Sequence, residues 1–306
     1  MATHRPPVLN WQIHMSSFGT RSSTAPLKHV QLIPPGQHQQ TAYQTAAWLP
    51  NKPSEARDQF QAYVHLLEAQ GVHVSLAPPA PPENPDAIYA YDNALILPAG
   101  AIVYRSCKAN RQNEWRRCIQ DIQSLNIPIL GQITTPGSID GGDVFWLDAN
   151  TLAAGFSWRT NQAGIDQLKR LVAPFHIQVQ TYDLPNVFGS SECLHLMSLV
   201  SPLTEKFALV DDRFIPVRLV QDLQARAVEL IPAEPTEFDT LATNVLALGH
   251  NRVIALSTNP KTLHQLESRQ LQVSLLGAFD LCVAGTGGPT CLTRIIWRAN
   301  TEDSVS

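Results

Sequence analysis

The chain has 306 residues, 44% of them hydrophobic, enough to bury a large core, and a formal net charge of −4 that points to neither nucleic acid nor an anionic membrane. No apolar run approaches the ~20 residues needed to cross a bilayer, and Met1 to Ser17 lack the apolar segment of a secretory leader. Five cysteines (Cys107, Cys118, Cys193, Cys282 and Cys291) in no framework spacing fit a reducing, cytoplasmic setting without a required disulfide, and the lack of CxxC, HExxH or P-loop patterns indicates neither zinc nor a nucleotide.

The chain reads as one catalytic domain over residues 1–306, with residues up to about 25 a loosely ordered N-terminal extension. His29–Ile33 is an apolar strand, and a Pro/Gln-rich stretch follows from Pro34 to Pro53. Glu55–Gln70 carries Phe60, Val64 and Leu67 on one helical face and stops at Gly71. Val72–Leu76 is then a strand. From Ala94 one plan recurs: strand, turn, strand, helix, strand. Its first copy uses Ala94–Leu97, Ala101–Tyr104, a helix from about Arg111 with Trp115, Ile119 and Ile122 on one face, and Pro128–Leu130. The second uses Val144–Leu147, Thr151–Ala154, Gln162–Val172 and Ile177–Thr181. The third uses Leu194–Val200, Phe207–Val210, Val217–Arg226 and Val228–Ile231. The fourth uses Asn244–Leu248, Val253–Leu256, Lys261–Ser268 and Val273–Leu276. A fifth copy is split across the termini, with Leu292–Trp297 supplying the first strand and residues 29–76 the rest. Joining both chain ends in one module closes a radial array and leaves only short sheet edges.

Asp92, Asp143, His195, Asn244 and Cys291 start the first strands of the five copies, at spacings of 51, 52, 49 and 47 residues. In a ring, one repeated position faces one axis, so carboxylates, a histidine, an amide and a thiol should converge there. The thiol follows Gly285-Thr-Gly-Gly-Pro-Thr, where glycine lets backbone approach a ligand closely. A thiol needs a base or a cation nearby to become a nucleophile, and His195 can supply the base or protonate a departing amine. Carboxylates gathered at Asp92, Asp140 and Asp143 would repel unless a cation sat between them. A guanidinium offers that cation with forked donors, and it would favour the thiolate. Arg111 and Arg159, at corresponding positions of two modules, could clamp a carboxylate at the far end of the same molecule. A ligand with those two ends is arginine-like.

These residues resemble the guanidino-group-modifying (amidinotransferase-like) superfamily, and most closely its dimethylarginine dimethylaminohydrolases. Ile139-Asp-Gly-Gly-Asp-Val followed by Gly155-Phe-Ser-Trp-Arg-Thr-Asn-Gln is similar to that family's acidic-Gly-Gly-Asp and Ser-x-Arg-Thr-Asn blocks. Leu194-His195-Leu, Ala242-Thr-Asn244 and Thr290-Cys291-Leu match three further blocks in the same order. The resemblance implies a five-bladed α/β propeller built of ββαβ modules around a central channel, and hydrolysis of an N-methylated arginine to citrulline plus methylamine or dimethylamine. It implies Cys291, His195 and Asp140 as the catalytic set, a thiouronium intermediate, and no metal or organic cofactor. Asp92, Asp86, Tyr91, Arg111, Arg159 and Gly285 are the implied substrate-binding residues, with Asp143 and Asn244 in support. The partner is a small guanidino molecule, with a homodimer possible. An arginine deiminase-like hydrolase, an amidinotransferase or a silent guanidino-binding protein would use the same residues. Tyr91 departs from the family, which commonly has an acidic residue there, and residues 34–53 fall where the family has a mobile lid.

Overall fold

The computed structural model describes residues 18–36, 48–187, 189 and 194–299. The split module is real. Strand β1 (Leu27–Leu32) pairs antiparallel with the last strand, β15 (Arg294–Arg298), placing Val30 opposite Ile295. Its other edge runs parallel to β2 (His73–Leu76), with Val30 beside Val74. Helix α1 (Pro53–Ala69) makes the crossover and buries Ala56, Phe60, Tyr63, Val64 and Leu67. A parallel neighbour demands such a crossover.

Four further modules repeat this plan between the two halves. The first has β3 (Ala94–Leu97), β4 (Gly100–Val103), α2 (Glu114–Ser124) and β5 (Ile129–Gln132). The second has β6 (Val144–Asp148), β7 (Thr151–Phe156), α3 (Gln162–Val172) and β8 (Gln178–Asp183). The third has β9 (Val200–Pro202), β10 (Phe207–Val210), α4 (Val217–Ala225) and β11 (Glu229–Pro232). The fourth has β12 (Leu246–Gly249), β13 (Arg252–Leu256), α5 (Pro260–Ser268) and β14 (Gln272–Leu276). In every module the first two strands are antiparallel and the last two parallel, giving five separate three-stranded sheets. Residues from the innermost segments of all five modules line one cavity of about 60 Å³, which marks the axis of a five-bladed α/β propeller. The apolar core is correspondingly divided into clusters where helices and strands of adjoining blades meet.

Each blade stops its helix with a residue in the left-handed region followed by an apolar residue that returns to the sheet. Gly71 (φ 77°) does so after α1, with Val72 N donating to Leu67 O. Asn126, His176, Ala227 and Gln270 occupy the same place in the other four blades. This satisfies carbonyls that a helix end otherwise leaves bare.

Three expectations need correction. The buried stripe of α2 is wider than expected: Ile122 is buried and Trp115 and Ile119 pack half-buried on the same cluster, but Glu114, Cys118 and Asp121 are buried as well, the two carboxylates paired with buried arginines. That helix starts at Glu114, since Ala109–Arg111 forms a separate turn. Leu194–Val200 is not a strand throughout: Leu196–Ser198 is a tight turn and the strand starts at Val200. Of the expected N-terminal extension, residues 1–17 lie outside the described residues. Residues 18–25 are fixed at the base of the propeller: Thr20 N donates to Ile96 O, and Ser23 Oγ bonds both polar backbone atoms of Trp146.

Candidate active site

The five repeat-phased residues sit just before the first strands rather than on them. Asp92 lies in the turn Ala90–Asn93, Asp143 in the turn Gly141–Asp143, and His195 leads the turn Leu196–Ser198. Asn244 ends a turn in which its N–H donates to Leu241 O, and Cys291 lies in α6 (Pro289–Leu292). The segment around Cys291 packs on that of Asp92, which packs on that of Asp143, which packs on that of His195. A strand's first residue alternates face with its neighbours; a turn above the strand instead aims its side chain over the channel mouth.

Bonds between blades hold these side chains. Asn244 Nδ2 donates to Cys291 Sγ at 3.0 Å, and its Oδ1 accepts Thr290 N at 3.0 Å, so one amide fixes both the thiol and its backbone. His195 Nε2 lies 3.3 Å from Asp140 Oδ2. The His195 N–H donates to Ser198 Oγ at 3.1 Å, and its ring accepts the Ser198 amide. Gly142 lets the ring lie flat on the backbone: a Cβ there would stand 2.5 Å from Nδ1. Asp143, fully buried, accepts Leu196 N at 2.8 Å and Ser157 Oγ at 2.6 Å, so it anchors the residue after the histidine. Asp140 N bonds Thr160 Oγ1, while Asn161 bonds Ser138 and caps α3. The Ser157-x-Arg159-Thr160-Asn161 block is therefore the brace of the 138–143 turn.

Charge in this ring is finely balanced. Burial raises the Cys291 thiol, the Asp92 carboxylate raises it further, and the Asn244 bond and His195 only partly offset them, leaving it at about 11. Burial opposes ionisation of Asp140, but its bond to His195 and the Arg111 and Ser106 neighbours outweigh that and hold it well below the usual carboxylate range. Burial pushes the Asp143 carboxyl up despite its hydrogen bonds.

Four sequence-predicted binding residues are placed differently from expectation. Arg111 is buried, 5% exposed, and donates to Asp92 Oδ2 at 2.6 Å, to both Glu114 oxygens at 3.0 and 2.9 Å, and to Tyr89 O at 3.2 Å. It is the counter-ion of a buried carboxylate pair rather than an open rim cation. Asp86 is also saturated: it pairs with Lys108 and accepts Trp48 Nε1 at 2.8 Å and Asn110 Nδ2 at 2.9 Å. Tyr91 points its hydroxyl at Val144 O, 3.1 Å away, and lines the axial cavity instead of a guanidinium pocket. Gly285 is buried against Trp48 and Tyr89, where a Cβ would meet the tyrosine oxygen at 2.0 Å, so the close approach this glycine permits is to side-chain rings. Arg159 is half-buried, and its charge is felt by the Cys107 thiol. Residues 37–47 of the expected lid lie outside the described residues. At its end, Trp48 stacks on Tyr89 at 5.9 Å, and Leu49 N bonds Ala284 O.

Sequence reasoning missed Glu114, Lys108, Trp48 and Cys107. Only Glu114 carried a signal, lying three residues beyond Arg111 and so able to pair with it across one helical turn.

A five-bladed propeller with thiol, histidine and paired carboxylates around its axis defines a member of the guanidino-group-modifying superfamily. Residues 38–296 match the family model described as N,N dimethylarginine dimethylhydrolase, eukaryotic, and the chain belongs to that family. It is 28% identical over 211 residues to an N(G),N(G)-dimethylarginine dimethylaminohydrolase of Streptomyces coelicolor, covering 69% of this chain and 74% of the relative. An uncharacterized protein of Aeropyrum pernix is 27% identical over 247 residues, covering 79% and 84%. Among solved structures, a dimethylarginine dimethylaminohydrolase variant of Pseudomonas aeruginosa complexed with citrulline superposes with a TM-score of 0.72 at 20% identity, over 89% of this chain and 100% of that one. An amidinotransferase of Microseira wollei gives 0.72 at 17% identity, over 93% and 98%. At these identities the superpositions speak for the fold.

Proposed function

We propose that the chain is a cysteine-dependent hydrolase of a guanidino compound, with N-methylated arginine the leading substrate. The observation that carries the reading is the Cys291 thiol bonded to Asn244 in the same ring of turns as Asp92 and the Asp140–His195 pair. A guanidinium between Asp92 and Asp140 meets negative charge on two sides, and its own positive charge favours the thiolate that Asp92 otherwise disfavours. Cys291 passes its proton to His195, and the thiolate Sγ then attacks the guanidinium carbon. The C–N bond to the methylated nitrogen breaks as that nitrogen takes a proton from His195, leaving an S-linked thiouronium. His195, now neutral, accepts a proton from water. The hydroxide adds to the same carbon, the C–S bond breaks, and citrulline leaves with the thiol restored. Asp140 holds the imidazole and stabilises its cation.

The far end of the substrate is less family-like in its receptors. Asp86 is neutralised by Lys108, so an α-ammonium would compete with a resident cation. Arg159, with Lys108, is the carboxylate receptor this reading favours; Arg111 is bound to Asp92 and Glu114 instead. The deciding experiment incubates the protein with arginine, monomethylarginine, dimethylarginine and shorter guanidino acids and follows products by mass spectrometry. Citrulline with methylamine or dimethylamine supports the reading, and amidine transfer to an added amine or no turnover of any substrate overturns it.

A further inference from the structure

Arg298, the last residue of β15, is 4% exposed in the axial cavity. Two of its donors go to backbone carbonyls, Ala25 O at 2.6 Å and Ala247 O at 2.9 Å. Among the described residues no carboxylate pairs with it, and its one ionisable neighbour is the Tyr91 phenol. Burial draws its pKa down to about 10, which still leaves the guanidinium charged at neutral pH. A buried charge without a counter-ion is among the costliest features a core can hold. Three residues that line the same cavity each carry a buried polar atom with no hydrogen-bond partner among the described residues: Tyr104 Oη, Trp146 Nε1 and Thr290 Oγ1. All three can donate, and the indole can do nothing else.

We propose that the axial cavity is a binding site for a chloride-sized monovalent anion, held against Arg298 by donors from Tyr104, Trp146 and Thr290. Water alone would satisfy the hydroxyls but would leave the guanidinium charge uncompensated. A volume of about 60 Å³ admits a halide with water beside it and is too small for a sugar acid. The cavity adjoins the proposed reaction centre through Thr290, which precedes Cys291 in α6, while Arg298 itself takes no part in the proposed reaction. Because the ligand binds only the folded ring, it should raise the unfolding temperature by mass action, by about 2 °C at ten times its Kd for a chain of this size.

The test compares thermal unfolding in sodium chloride and sodium gluconate at equal ionic strength, for wild type and for Arg298→Met. The expected result is a saturable rise in chloride for wild type that the variant lacks. Equal melting in both salts, or an equal chloride effect in both proteins, overturns the proposal. Should Arg298→Met fail to fold, wild-type crystals soaked in sodium bromide decide the question. An anomalous peak beside Arg298 supports the site, and its absence there removes it.

Discussion

Cys291 is half-buried beside Asp92, and both circumstances favour the protonated thiol, which stands at about 11. The resting protein should therefore alkylate slowly at neutral pH, with the rate at Cys291 rising with pH toward that value. Two substitutions separate the causes. Asp92→Asn removes a charge that raises the thiol and should shift the profile to lower pH; Asn244→Ala removes a bond that lowers it and should shift the profile higher. Iodoacetamide labelling, read at the Cys291 peptide by mass spectrometry to keep Cys107 apart, measures both. Shifts in the same direction would mean that packing, not these two contacts, sets the thiol. Turnover should nonetheless demand the thiol: Cys291→Ser is expected to fold and to lose at least about a hundredfold in kcat/KM, a cost of roughly 3 kcal/mol. The neighbouring Gly142 offers a subtler probe. Its backbone suits any residue, so Gly142→Ala strains only the His195 ring, 2.5 Å from the added methyl. A steep fall in kcat with little change in melting temperature is expected, and unchanged kcat would show that the ring's position is unimportant to the chemistry.

At the scale of the element, the five helix stops form a natural series. The left-handed conformation is nearly free for glycine and costs another residue about 1 kcal/mol or more. Nothing lies within 4 Å of a Cβ built on Gly71, so Gly71→Ala tests conformation alone and should cost about 1 kcal/mol. The exposed Ala227 holds φ 58° in the equivalent place, and Ala227→Gly should stabilise by about 0.5 kcal/mol. Urea midpoints of the two variants check the pair; the same sign in both would reject the argument. This series also explains what the sequence could reveal. Gly71 announces its helix stop, whereas Ala227 and Gln270 adopt the same geometry with no local cue, because the returning strand imposes it. Helix α3 was legible to the residue, Gln162–Val172, since its periodicity and cap are local. Leu194–Val200 misled because its apolar pattern suits a strand, while the turn is held by a local Ser198 bond that hydropathy does not register and by Asp143 from another blade. The site residues were visible through their repeat phase. Their partners Lys108 and Trp48 were not, because each reaches Asp86 from a segment whose position only the closed ring determines.

For the whole molecule, the residues proposed for catalysis are also what joins the blades. Asp92 of the first blade accepts Gly142 N of the second; Asp140 and Asp143 of the second hold His195 and Leu196 of the third; Asn244 of the fourth holds Cys291 of the fifth. Ser201 and Thr243 complete the junction of the third and fourth through their hydroxyls. Acid should therefore loosen the ring at its axis. Asp140 has a folded pKa of about 2 against an ordinary 3.8, so its contribution is fully present above about pH 4 and is lost as pH falls toward 2. Asp86, held low by Lys108 and Arg111 against its burial, has the same sign. Asp143 has the opposite sign: burial raises it, so protonation relieves a cost as pH falls. If Asp140 dominates the balance, the wild-type urea midpoint should drop between about pH 4 and pH 2 by the equivalent of roughly 2 kcal/mol more than that of Asp140→Asn, whose amide does not titrate. Parallel acid limbs for the two proteins would show that the His195–Asp140 junction does not tie the second blade to the third, and would leave Asp143 as the bond that does.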